Sequence, residues 1–337
     1  MRKIFLPLTL LLLPLSAHAF EYDYGNWNMK LTGYGTAGGA ALKDDVGFVK
    51  DWLVRGQISY QQSSDWLFGV MVAHDAWSVM RERPLRDAFV FAENPLGRAE
   101  LGFTSSIAAK LGLGLPDVGG LRVNMDPVIY ELADPYPVIS RTTVSGTSFA
   151  LRANVVTAPT NPVQFGLSYA SQQRHFDNAI DFALRYKHSD GKVKPAFSLG
   201  GSFIDRPDDM AGEIYAPRVT ADWRGQLSAG FNLQYNSWIW GLTAKVIYDQ
   251  NAIGAPADGI STGTGISYDL LNWSASISYM FSEIGIFHDG ANYLAHTGIL
   301  SLRYKFNQYL NVWMSGGYID SEIQSTPFIS GGLMVKF

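Results

Sequence analysis

Residues Pro327 to Phe337 read P-F-I-S-G-G-L-M-V-K-F. Pro327, Ile329, Gly331, Leu333, Val335 and Phe337 form one alternate row, almost wholly apolar; Phe328, Ser330, Gly332, Met334 and Lys336 form a mixed one. A period of two with unlike rows is the signature of a strand with two different faces. Left as a free edge, such a strand invites pairing with another chain. Closing it into a barrel within a membrane removes the edge.

The same alternation recurs upstream. Leu310, Val312, Met314, Gly316 and Tyr318 alternate with Asn311, Trp313, Ser315 and Gly317; Trp273, Ala275, Ile277, Tyr279 and Phe281 alternate with Asn272, Ser274, Ser276 and Ser278. Carried through the chain, the pattern predicts sixteen strands: 27–38, 51–61, 66–76, 86–93, 98–104, 144–157, 162–172, 179–189, 193–203, 226–236, 238–250, 260–270, 272–282, 294–306, 308–319 and 327–337. The count becomes eighteen if 204–225 holds a further pair, and fourteen is the alternative on the other side. An eleven-residue strand tilted by ~40° rises about 28 Å, enough to cross the apolar band of an outer membrane. Every second connection is short, for example Asn94-Pro95-Leu96-Gly97, Asp190-Gly191-Lys192 and Asn307-Gln308, and the others are mostly longer. Short turns at one end and long loops at the other are the layout of outer-membrane barrels, and an even strand number puts both ends of the barrel on the short-turn side.

The N-terminal segment predicts the compartment. Arg2 and Lys3 precede an apolar stretch, Ile4 to Leu15, and then Ala17-His18-Ala19. A basic start, an apolar middle and a small-x-small end make a secretory signal peptide, residues 1–19, so that the mature chain 20–337 begins at Phe20. The mature part has no apolar run long enough for a transmembrane helix. It has no cysteine, so its stability does not come from disulfides. The formal charge of −4 becomes more negative once Arg2 and Lys3 are removed, which argues against a nucleic-acid partner. Glycine, 34 of 337 residues, stands above the usual ~7%. Aromatic residues flank the short turns: Tyr60 and Trp66, Tyr235 with Trp238 and Trp240, Trp273, and Phe306 with Tyr309. Trp77, Tyr248, Phe281 and Tyr318 mark the opposite strand ends. Two aromatic girdles place the apolar rows against lipid and the mixed rows in a lumen.

The longest connection, 105–143, shows no sustained alternation. Ser106 to Leu113 has helix-compatible residues, and Ile107, Leu111, Leu113, Leu115, Val118 and Leu121 are too apolar for a solvated tail. Its carboxylates are Asp117, Asp126, Glu131 and Asp134. A sixteen-stranded barrel leaves a lumen wide enough to admit such a loop. Inward positions on the wall include Lys30, Arg55, Arg98, Arg152, Arg185, Lys187, Lys194, Lys245, Arg303 and Lys305, against fewer carboxylates, Glu100, Asp181 and Asp249. Lys30, Arg55 and Arg152, with Arg98 lower down, are the candidates for a basic wall facing an acidic loop; a field across the pore sets ion preference and orients polar solutes.

K-L-T-G-Y-G-T-A-G (30–38), A-F-V-F-A-E-N-P-L-G-R-A-E-L-G (88–102) and the final Phe337 resemble pieces of Gram-negative porins, the middle one resembling the segment that leads into the constriction loop of general diffusion porins. That resemblance implies an all-β transmembrane antiparallel barrel whose third loop folds into the lumen and narrows it, with loop carboxylates facing basic wall residues. It also implies a homotrimer in the outer membrane, and a terminal aromatic at Phe337 that the barrel-assembly machinery reads. The loop departs from the family in lacking a P-E-F-type acidic signature. Gly33, Gly35 and Ala37 on the first strand and Ala88, Val90 and Ala92 on the fourth make small outward rows, which suit either a subunit contact or relief of wall curvature.

The function expected is passive diffusion of small hydrophilic solutes and ions. A solute-selective, anion-preferring porin is the second reading, and a surface receptor or adhesin the third. Catalysis is disfavoured. His74-Asp75 and His288-Asp289 are the only suggestive neighbours, and adjacent strand residues point to opposite faces. No metal-ligand spacing, phosphate loop or redox motif is present, so no cofactor is implied.

Overall fold

Alternation of side chains, with an apolar row on one face, carries almost all of the described chain into strands. A computed structural model describes residues 20–42, 45–63, 65–77, 87–119, 150–173, 176–205, 222–250, 259–285, 292–321 and 325–337. The strands are β1 (Phe20–Tyr24), β2 (Trp27–Leu42), β3 (Asp45–Gln61), β4 (Leu67–Trp77), β5 (Asp87–Asn94), β6 (Gly97–Thr104), β7 (Ala150–Thr157), β8 (Val163–Gln173) and β9 (Phe176–Lys187). They continue as β10 (Val193–Asp205), β11 (Trp223–Tyr235), β12 (Trp238–Gln250), β13 (Gly259–Leu270), β14 (Trp273–Gly285), β15 (Asn292–Lys305), β16 (Leu310–Ser321) and β17 (Ser325–Lys336). One short helix, α1 (Ile107–Leu111), follows β6.

Strands β2 to β17 pair antiparallel with their neighbours in chain order, and β17 returns to β2. The result is a closed sixteen-stranded barrel. Asp205 of β10 lies opposite Trp223 of β11, so no further strand enters the ring between them. This settles the count at sixteen rather than eighteen or fourteen.

The outer face is apolar and bare: Leu101, Val155, Ile277 and Leu300 are each more than half exposed. Their inward neighbours are polar and covered, as with Ser276, Ser278 and Ser301. Such a surface is stable only against lipid, and closure leaves no strand edge there. Around the short-turn rim the aromatic rings pair across strands: Trp27 with Tyr60 at 5.0 Å, Trp238 with Tyr268 at 4.3 Å and Trp273 with Tyr304 at 4.8 Å between centroids. Phe203, Trp223 and Tyr248 stack in series near the opposite rim.

The closing seam differs from expectation in one respect. Phe328 to Lys336 pair with Leu42 to Tyr34, and Gly33 and Phe337 exchange both backbone hydrogen bonds, at 2.7 and 2.9 Å. Below Gly33 the edge of β2 is taken over by β1, with Phe20 opposite Leu31. Gly25, at φ 59°, makes the tight turn between β1 and β2, a conformation that costs glycine no Cβ clash. Five residues are too short a window for alternation to show, and the sequence reading begins its first strand at 27.

A belt along the inner wall

Residues 105–119 leave β6, turn into the barrel and run round its inner wall. Ser106 caps α1, its side chain accepting a hydrogen bond from the Ala109 N–H at 3.3 Å. Ile107, Ala108 and Leu111 are buried against β7 to β10. Beyond α1 the chain passes one strand after another. The Leu113 N–H donates to Ser198 Oγ on β10 at 2.9 Å, Asn232 Nδ2 on β11 donates to the Gly114 carbonyl at 3.4 Å, and the Val118 N–H donates to Ser276 Oγ on β14 at 3.1 Å. Ser276 Oγ in turn donates to Asp117 Oδ1 at 3.1 Å, which also accepts the Gly119 N–H at 2.9 Å. Of the apolar residues expected to be too greasy for a tail, Ile107, Leu111, Leu115 and Val118 are buried, Leu113 is half-buried and Leu121 lies outside the described residues.

The wall is cut to receive this belt. A Cβ on Gly166 would lie 2.6 Å from Ile107 Cγ2, on Gly230 2.7 Å from the Leu113 carbonyl oxygen, on Gly241 2.5 Å from Pro116 Cδ and on Gly263 2.8 Å from Leu115 Cδ1. These separations are far below van der Waals contact; at Gly166 and Gly263 a side-chain end would have to shift, whereas at Gly230 and Gly241 the belt backbone and the Pro116 ring stand in the way. Between the glycines the inward rows carry serines at Ser168, Ser198 and Ser276, whose hydroxyls bond the belt backbone. Sequence reasoning took these rows simply as polar lumen; the signal it passed over is the glycine or serine at the inward positions that meet the belt, Gly166, Ser168, Ser198, Gly230, Gly241, Gly263 and Ser276.

A charged clasp holds the start of the belt. Glu100 on β6 accepts from Lys110 of α1 and from Asn154 Nδ2 at 2.9 Å, and pairs with Arg98 Nε at 3.1 Å. Burial pulls the Lys110 ammonium below its usual range, and Glu100 beside it acts in the opposite direction. Burial likewise pushes the Asp117 carboxyl up, with the donors from Gly119 and Ser276 offsetting part of the effect.

The four basic residues expected to form one wall fall into separate environments. Arg152 and Asp181 make an ion pair at 3.0 Å whose side chains have no exposed area. Asp181 also accepts from Ser202 at 2.7 Å and Ser168 at 3.2 Å, and Ser168 Oγ accepts from the Ile107 N–H at 3.3 Å. The pair therefore braces the hydroxyl on which α1 begins. Arg98 pairs with Glu93 at 3.4 Å as well as with Glu100, and lies 3.9 Å over the Phe91 ring. Lys30 sits at the short-turn mouth, 3.9 Å from Glu21 of β1, with both side chains about half exposed. Arg55 lies on β3 between Thr32 and Ala73, facing the lumen. Its Nε has no acceptor among the described residues. Of the loop carboxylates, Asp117 is on the belt; Asp126, Glu131 and Asp134 lie outside the described residues.

Removing one partner of the buried pair leaves the other charge stranded in the wall. Arg152→Gln is expected to destabilise the barrel by about 3–5 kcal/mol. The check is the temperature at which the folded band converts to the unfolded one on SDS gels, which falls in the variant.

A closed sixteen-stranded antiparallel barrel, apolar outside and polar inside, with the start of its third long connection, residues 105–119, folded along the inner wall, is the architecture of Gram-negative outer-membrane porins. Among solved structures the chain is similar to OmpT of Vibrio cholerae in its trimer form (TM-score 0.65, 12% identity, 92% of this chain and 99% of that one). It is similar too to an anion-selective porin from Comamonas acidovorans (0.63, 12%, 92% and 100%) and to Salmonella typhi OmpF (0.63, 13%, 94% and 100%). At these identities the likeness is one of fold. No protein-family profile and no curated protein sequence matches the chain.

Proposed function

We propose that the protein is an outer-membrane porin, a water-filled channel through which small hydrophilic solutes and ions diffuse. The observation that carries the proposal is the belt. A barrel needs no inward segment to be stable in lipid, and one that covers the wall from β8 to β15 narrows the passage instead. Residues 1–19 then act as the export signal, the barrel-assembly machinery inserts the chain, and three copies associate. The outward small residues Gly33, Gly35 and Ala37 support the association, as does the trimer form of the Vibrio protein. Single-channel recording in planar bilayers tests the channel: ohmic steps arriving in threes are expected, and the absence of any conductance overturns it.

A preference for anions is favoured by Arg55, the candidate wall cation that faces the lumen without an ion pair among the described residues. Arg55→Gln is expected to move the zero-current potential in a salt gradient towards cations. Arg152→Gln combined with Asp181→Asn leaves it nearly unchanged, because the two charges of that pair cancel within the wall. An unchanged potential in Arg55→Gln refutes the assignment. The catalytic reading has less support: the His74 ring lies against Trp52, 5.2 Å between centroids, with no serine nucleophile in that contact, and His288-Asp289 lies outside the described residues.

A further inference from the structure

Three cations gather on neighbouring strands at the short-turn mouth. Arg303 and Lys305 are successive inward residues of β15, and Lys336 ends the inward row of β17, with β16 between them. One side-chain carboxylate stands nearby, Asp269 of β13, and it is taken by Lys305 Nζ at 3.1 Å and by the Ser274 hydroxyl. Arg303 and Lys336 form no ion pair among the described residues. Set against Asp269 and the terminal carboxylate of Phe337 beside Lys336, the group keeps a net positive charge on a wall backed by lipid, where like charges repel more strongly than in bulk water.

Its donors are also short of acceptors. Arg303 Nε is buried without a partner among the described residues. On the strand beside it Trp313, directly opposite Arg303, is 1% exposed and its indole N–H has no acceptor. Buried donors in native proteins are almost always satisfied, by protein, water or ligand. An excess of positive charge, a guanidinium fork and orphaned donors together call for a compact, negatively charged group with several acceptor oxygens.

We propose that Arg303, Lys305 and Lys336 form a binding site for a phosphate group, free or carried on a small solute, at the short-turn mouth of the barrel. Chloride neutralises charge there but cannot satisfy the fork. The proposal deepens the channel reading by giving the diffusing solutes a chemical class and a stopping place, and in that part it rests on that reading; the binding itself does not depend on it. Lys305 and Lys336 are partly open to the mouth, so a solute reaches the site from the short-turn side without passing the belt.

Calorimetry on the folded protein in detergent, with inorganic phosphate titrated against a chloride background, tests the binding. Saturable binding is expected, weakened by at least about tenfold in Arg303→Gln/Lys336→Gln, since each lost charge-assisted bond is worth more than a tenfold change in affinity. Glycerol phosphate in place of inorganic phosphate separates the two sources: equal binding means that the site reads the phosphate group alone, and preferential binding of the ester points to a carried phosphate. In bilayers, phosphate added on the short-turn side reduces chloride current in the wild type and not in the double variant. No saturable binding above chloride, or equal binding by the folded double variant, overturns the site. A protein that binds phosphate and carries no current overturns the channel and leaves the site standing.

Discussion

Replacing Gly230 and Gly241 together by leucine is expected to cut single-channel conductance severalfold in a barrel that still folds. A single Cβ at either position already collides with the belt, with Leu113 in one case and Pro116 in the other. The strand backbone cannot retreat, because its hydrogen bonds run in register with both neighbours: Gly230 faces Ser198 on β10 and Thr243 on β12. The belt must move, and the only direction open to it is towards the pore axis. Near the two glycines its backbone is held by single hydrogen bonds to Ser198 and Asn232, each contributing about 1 kcal/mol net, which is less than or comparable to the roughly 1–3 kcal/mol of an overpacked contact. Gly298→Leu serves as the control: it is also a glycine-to-leucine change within a strand, on the outward row of β15, but a Cβ there meets nothing within 4 Å. Unchanged conductance in the double variant would mean that the belt does not bound the pore.

Leu300→Arg is expected to destabilise the barrel by about 2–4 kcal/mol, the cost of a charge on the lipid face near mid-bilayer. Leu300 lies opposite Ile277 at the middle of β15 and β14, and both are more than half exposed on the outer face. Gln57→Arg, on an inward position of β3 opposite Lys30 and Met71, is expected to cost far less, because a lumen charge keeps its water. Equilibrium unfolding in lipid vesicles checks both. If the two substitutions cost the same, the assignment of apolar rows to lipid is wrong.

How much of this was legible beforehand depends on the range of the interaction. Faces were legible because strand side chains alternate whatever the strand pairs with; Lys30, Arg55, Arg98, Arg152, Glu100 and Asp181 all lie on the inward rows to which alternation assigns them. Partners were not, because they depend on register across strands. Arg152 and Asp181 are 29 residues apart, on β7 and β9 with β8 between them, and nothing local marks them as a pair. That pairing turns a candidate pore charge into a brace for α1. The belt was half legible. Its apolar residues announced that it would be buried, but Ser and Gly on an inward row suit water and a docked loop equally well. What separates the two is that Gly166, Ser198, Gly230, Gly241, Gly263 and Ser276 fall along a single path across neighbouring strands, a pattern seen only once the strands stand side by side.

The seam has a kinetic consequence. Gly33 and Phe337 pair across almost the whole length of the chain, so the ring cannot close until its last strand is in place, and contacts of such separation are slow to form. Throughout that interval β2 and β17 are both open edges, the state in which barrels aggregate. The β1–β2 hairpin shortens the exposure. It forms from residues next to one another and seals Trp27 to Leu31 at once, leaving only the stretch from Gly33 to Leu42 waiting for β17.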